Sequence, residues 1–153
     1  MENSKAKSCC ISKDSLYNCG ILLFRCIVGG FMLTHGWQKL QNFDMLSTVF
    51  PDPLGVGSTI SLVLIILAEF GCSLLIIIGL FTRLATLPLI FGMAIAAIFV
   101  HANDPFATKE LAFLYMALYF VVSIVGGGKY SLDNVFLNFC SKKYNNRCCH
   151  SKK

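Results

Sequence analysis

The chain has 153 residues, room for one ordinary domain, and 56% of them are hydrophobic against only 14% charged. Soluble domains carry about a quarter charged residues, so this composition, with a mean hydropathy of +0.67, points to lipid rather than water as the solvent. The net charge of +5 comes from basic residues in the first 13 positions and again after Gly128, with the middle almost bare. No basic stripe is interleaved with aromatics, which excludes nucleic acid as a partner. Basic flanks around apolar runs are the mark of a membrane protein in a lipid bilayer.

Taken in chain order, four stretches are long and apolar enough to cross a bilayer, at about 16–40, 59–81, 84–101 and 110–125. Each approaches the ~20 residues that a spanning helix needs. Helices buried in a soluble bundle keep a polar face, and "SLVLIILAEFGCSLLIIIGLF" has almost none. The first run is too long for the apolar core of a cleaved leader, and no small-x-small site closes it, so it is read as a helix that stays. The expected fold is all-α and integral to the membrane: an antiparallel four-helix transmembrane bundle. It divides into a basic tail (1–15), the four-helix domain (16–128) and a second basic tail containing cysteines (129–153).

With four spans, Lys5, Lys7, Lys13, Arg83, Lys129, Lys142, Lys143, Arg147, Lys152 and Lys153 share one side, and only Lys39 and Lys109 fall on the other. The positive-inside rule then puts both termini in the cytoplasm. The 2–3 connection "LFTRLA" is a tight cytoplasmic turn. In the long outer loop, Pro51, Pro53, Gly55 and Gly57 forbid a regular helix through its second half. Its apolar members Phe43, Met45, Leu46, Val49 and Phe50 suit the outer membrane face.

Two charges lie within the spans and need a partner or a wet cavity: Arg25 and Glu69. Counting 1.5 Å per residue from a membrane entrance near Tyr17, Arg25 lies about 12 Å in; Glu69 lies about 16 Å in from Leu80. The matching depths predict an Arg25–Glu69 ion pair, serving either as glue between helices or as part of a functional path. The same count brings His35 to the outer interface at about 27 Å. There "THGWQKL" places it with Lys39, near His101 at the end of span three and Glu110 at the start of span four. Arg25, His35, Lys39, Glu69, His101 and Glu110 thus form the candidate polar cluster. His35 suits proton transfer or head-group binding, or else a structural hydrogen bond, with Trp37 and Lys39 as membrane anchors.

Gly29, Gly30, Gly71, Ser73, Gly92 and Ala96 fit close helix contacts. Tyr115 and Tyr119, four apart, share a face of span four, where ordinary packing explains them well. Cys9, Cys10, Cys140, Cys148 and Cys149 read as reduced cytoplasmic thiols. Adjacent Cys pairs in "RCCH" specify no tetrahedral set, so no metal site is expected. Cys19, Cys26 and Cys72 read as small apolar packers.

Together these stretches resemble the DoxX family of small four-helix bacterial membrane proteins. The likeness runs from about Tyr17 to Asn134. It is carried by "LLFRCIVGGFMLTHGWQKL", the "PDPLG" loop, "LAEFGCSLLIIIGLFTRLATLPL" and "GGGKYSLDN", in that order. The polar signature of the family falls on Arg25, His35, Gly36, Lys39, Glu69, Arg83, Tyr130 and Asp133. The resemblance implies a multi-pass protein of the bacterial inner membrane, linked to quinone or thiol redox systems. On that basis the expected role is an accessory subunit of a membrane oxidoreductase. The chain brings no cofactor motif of its own, so a quinone or redox-partner subunits would carry the electrons. Whether the chain is itself catalytic, and whether it self-associates as a homo-oligomer, is left open. The alternative is a non-enzymatic transporter of a small solute or protons, or an assembly factor.

Overall fold

A computed structural model of the chain describes residues 13–136. Among these residues the structure is entirely helical, with four helices long and apolar enough to cross a membrane. They are α1 (Lys13–Gln41), α2 (Ser58–Ile78), α3 (Thr82–Val100) and α4 (Phe106–Val125). A single helical turn, Phe43–Leu46, follows α1. The cysteines at 9, 10, 140, 148 and 149 lie outside the described residues.

Neighbouring helices run in opposite senses, as their contacts show. An ideal Cβ on Gly29 would fall 2.7 Å from Ile77, whereas one on Gly36 would fall 2.7 Å from the Phe70 nitrogen. Residue numbers rise on α1 as they fall on α2. At the other pair, Arg83 at the start of α3 donates to the carbonyl of Ile124 at the end of α4, 3.3 Å away. Both ends of the described chain meet at one end of the bundle, where the Lys129 amide donates to Asn18 Oδ1 at 3.0 Å. This is the tail end; the opposite one is the loop end. Between them a core of Val28, Met32, Ile76, Leu89, Tyr119 and Val122 is closed to solvent.

The tail end is held by a polar clasp. Arg25, 1% exposed, donates from Nε to the Ile76 carbonyl and from Nη2 to the Ile77 carbonyl, both at 2.9 Å, and from Nη1 to the Gly127 carbonyl. The last carbonyls of a helix have no intrahelical donor, and here a guanidinium from another helix supplies one. Gly79 ends α2 in the left-handed region (φ 81°), and a Cβ there would lie 2.5 Å from Arg25 Nη2. Phe81 is also left-handed (φ 47°), the strained position before α3. Asp133 holds it: its carboxylate accepts the Phe81 amide (2.7 Å), the Thr82 amide (3.1 Å) and the Thr82 hydroxyl (3.3 Å). The start of α3 is therefore capped from a segment some fifty residues away. Residues 126–134, of which 129–134 were grouped with the tail in the sequence reading, pack under the bundle.

At the loop end, Asp52 of "PDPLG" has a comparable role for α2. Its carboxylate accepts the Ser61 hydroxyl (2.8 Å) and the amides of Gly57 (2.6 Å) and Val56 (3.1 Å). The Ser61 hydroxyl first, then the Gly57 amide, holds its proton affinity below the usual carboxylate range.

Asp133→Ala should lower stability to unfolding in mixed micelles by about 1–2 kcal/mol, the cost of losing a helix cap. Asp133→Asn, which keeps one acceptor, should lose less; an unchanged Asp133→Ala protein would remove the clasp from the argument. A carboxylate that binds protons less readily when folded contributes above its unfolded pKa, ~3.9, and stops contributing as pH falls through the lower folded value. The hydrogen-exchange protection factors of the Val56 and Gly57 amides should therefore hold from pH 7 to 5 and fall only in stronger acid. Asp52→Ala should abolish that dependence.

Candidate functional site

The contacts also set depths. If Gly29 lies beside Ser73 and Ile77 and Gly36 beside Glu69 and Phe70, then α1 is displaced along its axis toward the tail end. About its first thirteen residues extend beyond α2, flanked by the 126–134 segment. Measured against α2, Arg25 is at the tail-end rim rather than about 12 Å in. His35 is level with Glu69, near mid-membrane, rather than at the outer interface. The sequence count fails for one reason: Tyr17 is not where α1 enters the bundle.

The predicted Arg25–Glu69 pair is accordingly wrong. Glu69 pairs with Lys39, Nζ to Oε2 at 2.5 Å, and Arg25 is occupied by three carbonyls. The Glu69 side chain is 4% exposed and that of Lys39 26%. Gly36 makes this possible. A Cβ there would press on the backbone of Glu69 and Phe70, so only glycine lets α1 come close enough for Lys39 to reach back. Helix α2 is π-helical through Leu67–Cys72, with Glu69 inside that turn. A second π-turn, Ala96–Val100, ends α3. Such turns are rare, and they concentrate at functional sites.

Glu69 and Lys39 border a cavity of about 540 Å³. One wall is α2 (Leu64, Ile65, Ala68), the other α3 (Pro88, Phe91, Gly92, Ile95), and Leu46, Val49, Phe50 and Leu54 of the loop roof it. The space exists because the first half of α2 hardly touches α3, whereas α2 from Leu67 onward packs along it. Gly92 faces Ile65 across the gap. Among the lining side chains only Lys39, Ser61, Glu69 and His101 bear polar atoms. Ser61 is already bonded to Asp52, and His101 Nδ1 to Asp104 Oδ2 at 2.7 Å. The polar groups left to meet a ligand are those of the Lys39–Glu69 pair at one end of the cavity and the second ring nitrogen of His101, Nε2, at the other.

The remaining candidates scatter. His101 lines the cavity at the loop end, and from Pro88 to Val100 is roughly twelve residues, or about 18 Å of helix. Glu110 is exposed on α4, without an ion pair among the described residues. His35 is half-buried and meets Tyr115 edge-on, with ring centres 5.9 Å apart. Tyr115 stacks on Tyr119 (6.3 Å), whose hydroxyl neighbours that of Ser73. Both hydroxyls are buried without a hydrogen-bond partner among the described residues. Cys19 and Cys26 are exposed on α1 and do not pack; Cys72 does. The cavity, its loop roof and the π-turns were beyond the sequence reading. The Lys39–Glu69 pairing left one trace, the small residues Gly29 and Gly36 spaced two turns apart on the face toward α2.

Two double-substitution cycles separate the pairings. Lys39→Met alone should cost about 2 kcal/mol, less than a fully buried pair because Lys39 is partly open to solvent. Adding Glu69→Met should restore most of it. Arg25→Leu combined with Glu69→Leu should instead be additive to within about 0.5 kcal/mol, as for separated sites. Strong coupling between Arg25 and Glu69 in folded yield would contradict these contacts.

The comparisons with known proteins agree with this architecture. The DoxX family model matches residues 20–102, more than half of the chain and the whole of the Arg25-to-His101 region. An uncharacterized protein of Haemophilus influenzae is 33% identical over 123 residues, covering 76% of this chain and 90% of that protein. No solved structure matches. The chain belongs to the DoxX family.

Proposed function

We propose that this DoxX-family protein is a multi-pass inner-membrane protein that holds a quinone-like ligand in the cavity between α2 and α3, as an accessory subunit of a redox system. One observation carries the reading: a largely apolar cavity of about 540 Å³ with the Lys39–Glu69 pair, its carboxylate buried, at one end. That size lies within the ~300–1,000 Å³ typical of small-molecule sites, as does an apolar lining with a few placed polar groups. A quinone ring suits such walls, its carbonyl oxygens accept from the Lys39 ammonium, and Glu69 sets the charge of the site. The chain's part is to bind and orient, with electrons passed by partner subunits. The tail end, from which the two basic segments of the sequence lead away, faces the cytoplasm in this reading, and a periplasm-only reporter fused at residue 153 would stay silent.

The transport alternative draws on the unpartnered hydroxyls of Tyr119 and Ser73 beneath His35. Proton flux into vesicles without any redox donor would favour it over ligand binding.

Purified protein should bind a tailless radiolabelled benzoquinone in equilibrium dialysis. Lys39→Met should weaken that binding by about tenfold or more, since a hydrogen bond from a charged donor contributes ~1.5–3 kcal/mol. Absence of binding, or equal binding by parent and variant, would defeat the reading.

A further inference from the structure

Resting on that reading, we infer that the ligand carries a hydrocarbon chain lying in the wedge between α2 and α3, and that it enters sideways from the lipid, head group first. The head-group site is at mid-membrane. Glu69 is about eleven residues, or roughly 16 Å, from the start of α2. From Glu69 the cavity continues toward the loop end between two walls of carbon: Leu64 and Ile65 on α2, Phe91, Gly92 and Ile95 on α3.

Those walls are not sealed from the outside. Leu64 is 50% exposed and Phe91 59%, and Pro88, one turn before Phe91, is exposed too, so the cavity they line is open to the surroundings. Over the same stretch α2 and α3 stand apart. Above, the way out toward water is covered by the loop, which Asp52 ties to the start of α2. A water-borne solute would have to displace that tied loop and then shed its hydration against apolar side chains. A molecule already dissolved in the bilayer meets neither barrier. The pair at the deep end gives the head group its place, and the wedge gives a chain somewhere to lie. Gly92 leaves the wedge the room that a side chain would fill: an ideal Cβ there would lie 2.8 Å from Ile65 Cδ1, which packs against the glycine.

The test uses a benzoquinone whose ten-carbon chain ends in a photoreactive diazirine, with full-length protein in lipid nanodiscs. Labelling should concentrate on peptides containing Leu64–Ala68 and Pro88–Ile95. It should fall about tenfold with excess unlabelled decyl quinone or in Gly92→Leu, which corresponds to a loss of ~1.4 kcal/mol in affinity. Gly92→Leu is expected to fold, since leucine favours helix and only the mobile end of Ile65 must move. Competition by decyl quinone gives the same readout without any variant. Labels spread evenly over lipid-facing residues such as Leu114 and Ile124, while the tailless quinone still binds, would overturn the inference and leave the site reading intact. Failure of the tailless quinone to bind would overturn the site reading itself.

Discussion

A single guanidinium ties the bundle together. Arg25 reaches carbonyls at the end of α2 and in the segment after α4, so three parts of the chain that are distant in sequence share one charged donor. Arginine is suited to this because its planar fork carries several donors in fixed directions and does not lose its charge. Bonding to neutral carbonyls also needs no buried carboxylate. The rest of the tail end is arranged around that fork: Gly79 gives it space, Asp133 caps the next helix, and Arg83 reaches the last turn of α4.

With that end fixed, the helices stand apart at the other. Helices α2 and α3 pack closely near the tail end and diverge from Leu67 outward. A wedge of this kind needs its joined end held together, and the polar signature divides accordingly. Arg25, Arg83 and Asp133 serve the rigid end, whereas Gly36, Lys39 and Glu69 shape the open one. Of the signature residues, His35 stands by itself against Tyr115, and Tyr130 is exposed.

Much of the architecture was legible because membrane spans are written in composition. The four helices fall close to the stretches marked by hydropathy alone, and the prolines and glycines of the long loop act where backbone chemistry says they must. The site was less legible. Arg25 and Glu69 were each singled out correctly as residues that need a partner, but hydropathy says little about how far one helix slides along another. Sliding is decided by where small residues permit contact, and Gly36 against Glu69 and Phe70 decides it here. The apolar loop residues gave no sign of roofing a cavity either, because greasy side chains suit a membrane face and a cavity equally well.

The displacement of α1 has a consequence for the lipid. Helices α2, α3 and α4, with 21, 19 and 20 residues, are each about 30 Å long, the thickness of a bilayer's hydrocarbon core. Helix α1 has 29 residues, yet by its register with α2 it stops about 8 Å short of the loop-end boundary. One leaflet is therefore crossed by four helices and the other, near its surface, by three. Such a local mismatch is met by thinning the bilayer or by filling the gap with protein. The turn Phe43–Leu46 and the residues after it occupy that gap, with Met45 and Val49 more than 70% exposed. On this geometry they replace acyl chain, so the lipid beside α1 is shallower on the loop side than anywhere else around the protein.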